Sequence, residues 1–579
     1  MMKRLVLFVL LSVWVFALPQ AINEQIRKSG IAKKDISIYI KEAGRGGKVV
    51  AYLNGDKKRS PASVIKVLST YAALLKLGFA YHWPTKFFTT GTLSQGTLHG
   101  DLLIKGFGDP TLNADDLDEI VSYMRAEGIR KVQGNIVIDR SYFKVGNKDS
   151  SGFDENPYSA YNAMPDAMMF NERVSTVCVL PKQNSVYKKD HDSSYKVVNN
   201  LTRVNKPCRG RYSWPGVKVD KHTAVPTVIL KGKISKRCGK RTVCKVLTKP
   251  YKSFYYALKE KLKEEGVAVT GTLKLHTIPQ NAAEIFTYES DSLEKIVSKT
   301  AKKSNNLYAR HLLLLLGAQV YGAPATVQKG RDAVVKILSS KGALGTGVLR
   351  LDNGCGLSRV AKLNAHLLTT VLDHAYDRYG QRWMNTLSIA GVDGTIKRRF
   401  RGTVVSNRAW MKTGTLRRVK NIAGYVKNRA GKRYTVVILV NSTKAKYRGA
   451  KLQNEIIKWL VQGAAKPLPR SKTKLIVASK PQKVHKPVKH KIVKKKEIKQ
   501  KSHTKVSKRK YYYVQVGSFK AKPTQKYLKK ISKLGLPYKV KKINIYKVLI
   551  GPYKKESTAR RILVKVKQKL NKSAFISKQ

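Results

Sequence analysis

The stretch Ser60–Gly78, SPASVIKVLSTYAALLKLG, sets a serine and a lysine one helical turn apart at the mouth of an apolar helix. Ser60 and Pro61 read as an N-cap and a first-turn proline, so the helix is expected to begin at about Ala62. Val64, Ile65, Val67, Leu68, Tyr71, Leu74 and Leu75 leave little polar surface, which predicts burial. An i, i+3 pair meets on any helix, and the chain holds eight Ser-x-x-Lys matches, so the spacing alone says little. The setting of Ser63 and Lys66 says more. Burial lowers a lysine pKa and turns the amine into a proton acceptor, and a serine hydroxyl needs such a base to become a nucleophile. The helix start also points backbone N–H groups at negative charge developing beside the serine.

With 579 residues and 42% hydrophobic content, two to four domains with real cores are expected. The N-terminus, MMKRLVLFVLLSVWVFALPQA, carries two basic residues, an apolar run and small residues at Ala17 and Ala21. It is short for a bilayer span and reads as a cleaved secretory signal over residues 1–21. A net charge of +80 ordinarily suggests nucleic acid, but lysine is spread over every segment and the export signal points instead to an anionic polymer of the envelope. Cys178, Cys208, Cys238 and Cys244 fall within 67 residues, which in an exported chain suggests one or two disulfides of open connectivity. No zinc pattern and no His-Glu-x-x-His occurs, so neither a metal nor another cofactor is expected; His311 reads as an ordinary helix residue.

Along the chain, residues 22–87 form a first globular piece, and 88–288 read mainly as short strands with glycine turns. Helical periodicity returns at SLEKIVSKTAKKSNNLYARHLLLLLG (292–317), and the segment 289–465 ends in strand, turn and strand: NIAGYVK, NRAGKR, YTVVILVNS. Residues 466–510 hold 18 Lys or Arg against the single Glu497, with four prolines, and read as an extended basic tether. Residues 511–579 carry two strand-like runs, YYVQVGSF and YKVLIGPY, whose Gly517 and Gly551 lie 34 residues apart; each run precedes a basic amphipathic helix.

Two further clusters complete the opening pair. KSNNLYARHL supplies Ser304 and Asn306 at a helix start, and MKTGTLRR supplies Lys412, Thr413, Gly414 and Thr415 at a strand end. Ser-x-x-Lys, Ser-x-Asn and Lys-Thr-Gly in that order form the signature of penicillin-binding proteins. Together with GDPTL, GNIVIDRSYF, YNAMPDAMMFNE, GLSR and AGVDGTIKRRF, the chain over roughly 25–460 resembles the class C low-molecular-mass penicillin-binding proteins, which are D-alanyl-D-alanine carboxypeptidases with endopeptidase activity. The resemblance implies an α+β transpeptidase-like core, an antiparallel sheet between helices, with the accessory region inserted into the 241 residues between Ser63 and Ser304. It implies that Ser63 attacks the penultimate D-alanine carbonyl and Lys66 takes the proton. Ser304 with Lys412 relays a proton to the leaving nitrogen, and Asn306 orients Lys66. Thr413 joins Lys412 on the terminal carboxylate, Gly414 clears the strand for the substrate backbone, and the N–H groups of Ser63 and Thr415 form the oxyanion hole.

The match has departures. DNGCGLSR puts Cys355 where the family usually has serine, and it reads as a buried filler rather than a nucleophile. For the side chain of the third stem residue, SGFDENPYSAYN offers Phe153 and Asp154 or Glu155, with Tyr161 and Arg359 as further contacts. The tail resembles a SPOR domain, which in other proteins recognises glycan stripped of stem peptides. Gln515 and Ser518 are the carried-over binding residues. Phe519, Tyr546 and Tyr553 read equally as sugar-stacking or as core residues. The expected partners are therefore peptidoglycan stem peptides and glycan, with β-lactams as acylating inhibitors and no nucleic acid. The expected place is the periplasm, enriched at the division septum, with a membrane attachment only through an uncleaved signal. The rival reading is a catalytically weak peptidoglycan-binding protein that keeps the scaffold; a β-lactamase lacks a deacylation motif in a plausible place.

Overall fold

The computed structural model describes residues 18–463 apart from residue 346, and residues 511–578 apart from 520–522, 533, 535, 543–544, 554–555 and 572. The signal-like segment up to residue 17 and the basic tether lie outside the described residues. The chain divides into two compact units after Ala464.

In the first unit a six-stranded antiparallel sheet runs in the order Val49–Leu53, Ile36–Glu42, Arg433–Asn441, Val419–Lys427, Ala409–Leu416, Ser388–Ile389. The run TVVILV has no polar alternation because both faces of this sheet are covered. Val437 and Leu439 face the helices Lys66–Leu77, Leu293–Lys303, Asn306–Tyr321, Val327–Ser340 and Ala365–Met384. Val436, Ile438 and Val440 face Gln20–Ser29 and Ala450–Gln462. Each fully buried aliphatic side chain contributes about 1.5–3 kcal/mol, so these two clusters hold the layers together. His311 is fully buried; its Nδ1 is 2.8 Å from the Gly108 carbonyl, and burial lowers its pKa to about 4, so it stays neutral.

The excursion between the first two motifs leaves along His82–Thr89 and returns along Ala283–Ser292, which pair antiparallel. Both strands belong to a five-stranded mixed sheet, and the residues between them add a four-stranded mixed sheet and two three-stranded sheets. This strand-rich stretch also holds two helices, Leu117–Ala126 and Pro250–Glu264. Cys208 and Cys238 form a disulfide, while Cys178 and Cys244 are free, so the four-cysteine cluster supplies one bridge. In the second unit four antiparallel strands in the order Tyr538–Lys542, Tyr546–Tyr553, Tyr512–Phe519, Phe575–Lys578 accompany the helices Gln525–Ser532 and Glu556–Lys569. Among the described residues no helix is long and apolar enough to cross a membrane.

Two local expectations change. Ser60 is not an N-cap: its N–H donates to Asn441 Oδ1 at 2.7 Å, and its carbonyl accepts from Asn421 Nδ2 at 2.9 Å. The α-helix proper starts at Lys66 and is preceded by a 3-10 turn, Ala62–Ile65, with no side-chain cap on either. The helical stretch after residue 292 is broken at Ser304, which has φ +56° between two helices.

Candidate active site

Ser63 reaches the site on a strained turn. Ala62 has φ +47°, a left-handed conformation that costs a non-glycine residue about 1–2 kcal/mol. Asn421 opposes that strain from the sheet: its Nδ2 donates to the carbonyls of Ser60 and Pro61, both at 2.9 Å, while its Oδ1 accepts from Val440 N. Two glycines leave room for the turn. A Cβ at Gly414 would lie 2.8 Å from Pro61 O and 3.0 Å from Ser63 N, and one at Gly356 would lie 2.0 Å from Ala62 O. Gly414 thus keeps the strand clear for the nucleophile turn itself, a different neighbour from the substrate backbone expected of it.

Lys66 is fully buried, and its Nζ has three neighbours: Ser63 Oγ at 2.8 Å, Asn306 Oδ1 at 2.8 Å and the Cys355 carbonyl at 2.5 Å. The Cys355 carbonyl can only accept. Asn306 Oδ1 is the accepting end as well, because its Nδ2 donates to the Tyr161 carbonyl at 3.1 Å. A neutral amine has two N–H groups and one lone pair. In the neutral amine, with two acceptors taking the hydrogens, the lone pair is left to face the Ser63 hydroxyl, whose other partner is the Cys355 carbonyl at 3.3 Å. Burial, and secondarily the nearby Arg310 charge, lower the Lys66 pKa to about 8, against the opposing effect of Cys355.

A second serine–lysine pair faces the first. Lys412, also fully buried, donates to Ser304 Oγ at 2.8 Å and to the Thr413 carbonyl at 2.7 Å. Burial, and then repulsion by Lys66, hold its pKa well below the usual lysine range. Thr413 Oγ1 donates to Thr395 Oγ1 at 2.8 Å, in the AGVDGTIK segment. Cys355 is fully buried with its thiol 3.1 Å from Asn353 Oδ1, as a filler would be; what it contributes to Lys66 is its backbone carbonyl.

The expected side-chain contacts gather on the inserted region. Tyr161 Oη donates to Asp154 Oδ2 at 3.0 Å, and Asn162 Nδ2 donates to Asp154 Oδ1 at 2.8 Å. Arg359 donates to the Phe153 carbonyl at 3.1 Å and lies 4.9 Å from the centre of its ring. Glu155 is exposed. This loop is pinned by Asp149, which receives Arg173, Lys249 at 2.9 Å and Lys221 at 3.1 Å. Burial raises the Asp149 pKa, but Lys249, Arg173 and Lys221 outweigh it and bring the carboxyl down to about 2. Asp149→Asn leaves three cations around a neutral amide and should loosen residues 150–161. We expect KM for a stem peptide to rise roughly 3–10-fold, about 1 kcal/mol of lost positioning, with penicillin acylation changed less than about 2-fold. Steady-state kinetics beside a penicillin-labelling time course reads both, and equal losses in the two would contradict the assignment.

Sequence reasoning missed Glu172. Asn171, Glu172 and Arg173 are three consecutive residues at positive φ. The turn aims the Glu172 carboxylate at Asn305 Nδ2, 2.9 Å, and at Tyr308 Oη, 2.8 Å, where Asn305 caps the Asn306–Tyr321 helix. The signal lay in YNAMPDAMMFNE, without a role attached.

In the second unit Gln515 is buried and donates to the exposed Ser518 Oγ at 2.8 Å. Phe519 packs edge-on to Tyr527 at 5.0 Å and over Gly517, and Tyr553 is 3% exposed. Tyr553 is a core residue of the small sheet, whereas Phe519 is only half-buried.

A serine hydrogen-bonded to a buried lysine, an asparagine on that lysine and a second serine–lysine pair, all against an antiparallel sheet, fit a serine hydrolase on a penicillin-binding-protein scaffold. Residues 18–462 match the D-Ala-D-Ala carboxypeptidase 3 (S13) family, and residues 508–578 match the SPOR domain. The chain belongs to the S13 family of D-Ala-D-Ala carboxypeptidases and carries a C-terminal SPOR domain. It is 28% identical over 390 residues to a D-alanyl-D-alanine carboxypeptidase of Actinomadura, covering 64% of this chain and 72% of that one. It is 27% identical over 412 residues to the D-alanyl-D-alanine carboxypeptidase DacB of Haemophilus influenzae, covering 68% and 82%. The fold is that of penicillin binding protein 4 from Haemophilus influenzae, with a TM-score of 0.65 at 22% identity over 76% of this chain and 99% of the other. A second structure of that protein, in complex with a β-lactam, matches with a TM-score of 0.60 at 23% identity.

Proposed function

We propose that the protein cleaves the D-alanyl-D-alanine bond of peptidoglycan stem peptides, and the corresponding cross-link, through an acyl-enzyme on Ser63. The observation that carries the mechanism is the three-way environment of Lys66 Nζ: two carbonyl-type acceptors and one hydroxyl. Neutral Lys66 takes the Ser63 proton as Oγ bonds to the carbonyl carbon of the penultimate D-alanine. The oxyanion is held by the N–H groups of Ser63 and Thr415 while the tetrahedral centre exists. Lys66 and Ser304 return a proton to the leaving nitrogen as the C–N bond breaks. Lys412 and Thr413 receive the terminal carboxylate, and that anion restores to Lys412 the charge that burial and Lys66 oppose. Water, deprotonated by Lys66, then releases the stem peptide. Asp154, Tyr161 and Arg359 present a carboxylate, a hydroxyl and a guanidinium to the third-residue side chain, a set suited to a group bearing both an amine and a carboxylate. Incubation with purified cross-linked muropeptides tests the reading: mass analysis should find free D-alanine and monomers from dimers. Unchanged dimers and pentapeptides would overturn it in favour of a non-catalytic binder.

The tail serves as a separate peptidoglycan anchor, which puts the enzyme in the periplasm and at septal glycan. In this reading buried Gln515 orients Ser518, the exposed hydroxyl that meets the glycan. The full chain should bind amidase-treated sacculi better than intact ones at both low and high salt, and Gln515→Ala with Ser518→Ala should remove that preference. Binding that ignores stem peptides and vanishes in salt would reduce the tail to a basic patch.

A further inference from the structure

The inserted region holds an aromatic surface that the reaction does not use. Trp214 is 57% exposed, whereas the other described tryptophans, Trp83, Trp383, Trp410 and Trp459, all pack into cores. It borders a cleft of about 570 Å³, lined besides by Tyr212, Pro215, two glycines and the cations Arg211, Lys231 and Lys233. No aliphatic side chain and no carboxylate lines it.

The indole is backed by a fixed group. Arg241 does not line the cleft, and its guanidinium lies 5.3 Å from the Trp214 ring centre. Its Nε donates to the Ser213 carbonyl at 2.6 Å, and its Nη1 to the Gly239 and Lys240 carbonyls at 3.2 and 3.3 Å. Its Nη2 lies 2.9 Å from Cys208 Sγ, which is disulfide-bonded to Cys238. The cation is thus held by residues flanking the disulfide and stabilises the indole through its π face. The ordering entropy of such a platform is met on folding rather than on binding.

We propose that this cleft is a second glycan-binding site, taking a pyranose of the peptidoglycan strand that bears the stem peptide cut at Ser63. A sugar presents a flat face of C–H groups and a rim of hydroxyls; the indole fits the face, and Tyr212 with the cations fits the rim and any carboxylate on it. The glycine floor admits the ring. A protein partner would be expected to find an apolar anchor pocket, which is missing here. Lysine is too frequent in this chain to carry the argument alone, so the assignment rests on Trp214 and its backing. It rests also on the proposed substrate.

The tail after residue 510 contains no tryptophan, so a tryptophan signal reports on this site without interference from the SPOR domain. The full chain labelled with 5-fluorotryptophan is titrated with a soluble peptidoglycan tetrasaccharide stripped of stem peptides, and with polyglutamate as a plain polyanion. The Trp214 fluorine resonance, identified by its loss in Trp214→Phe, should shift saturably with the glycan at low and high salt. In a matching saturation-transfer experiment, with Gln515→Ala and Ser518→Ala in every sample to silence the tail, Trp214→Ala should weaken glycan binding at least about 5-fold and Trp214→Phe much less. No shift, or an equal shift with polyglutamate that disappears in salt, would overturn the proposal. Penicillin labelling of each sample keeps the two readings apart: a sample that labels at Ser63 while Trp214 stays silent loses only the second site.

Discussion

Replacing Ser63 by alanine should abolish covalent labelling by a fluorescent penicillin and lower D-alanine release by on the order of 10³-fold or more, because the proposed mechanism runs through its Oγ, 2.8 Å from Lys66 Nζ. Two rivals lie close. Ser304 has a buried lysine of its own at 2.8 Å, but it caps the C-terminal end of the Leu293–Lys303 helix, whose carbonyls disfavour an anion. Cys355 is fully buried, and its thiol is engaged with Asn353. A tryptic digest of the labelled wild type should carry the adduct on the peptide containing Ser63. An adduct on Ser304 or Cys355, or normal labelling of Ser63→Ala, would refute the assignment.

The second large effect concerns Lys66. Lys66→Arg keeps a cation in the site but supplies no lone pair at any accessible pH, so acylation should fall by about 10³-fold or more, as it does when a nucleophile loses its base. Folding is checked by thermal melting, since a guanidinium is larger than the ammonium it replaces and the site is closed. Lys66→Gln, smaller and neutral, should be equally inactive while relieving the repulsion on Lys412. A folded Arg variant that acylates at close to the wild-type rate would make Lys66 a structural residue.

The three motifs could be read before the fold was known because each needs particular side chains at fixed spacing, and the apolar helix that carries Ser63 and Lys66 sets that pair apart from the other seven Ser-x-x-Lys matches. The apolar run at 436–440 likewise reads directly as a strand; that both its faces are covered came from the structure. What sequence did not disclose is the support. The acceptor that orients Lys66 is the backbone carbonyl of Cys355, which has no side-chain signature. The clamp on the Ala62 turn comes from Asn421 and Asn441, 361 and 381 residues from Ser60 along the chain, through a sheet register that local patterning does not specify. Glu172 depends on three consecutive left-handed residues, of which only Asn171 is of a type that turn rules place there. Ser60 misled in the opposite sense: a serine before a proline looks like a cap, but tertiary partners take its backbone and the helix starts six residues later.

The pH dependence of wild-type acylation tests most directly whether a neutral lysine activates Ser63. Lys66 loses its proton at about 8, and only the deprotonated form accepts the serine proton, so acylation is slow below that value and grows as pH passes through it. The rate constant for penicillin acylation, followed by intact-protein mass from about pH 6 to 10, should rise roughly tenfold per unit at the acid end and level off above a midpoint near 8. A rate that is flat across that range, or that falls as pH rises, would contradict the account.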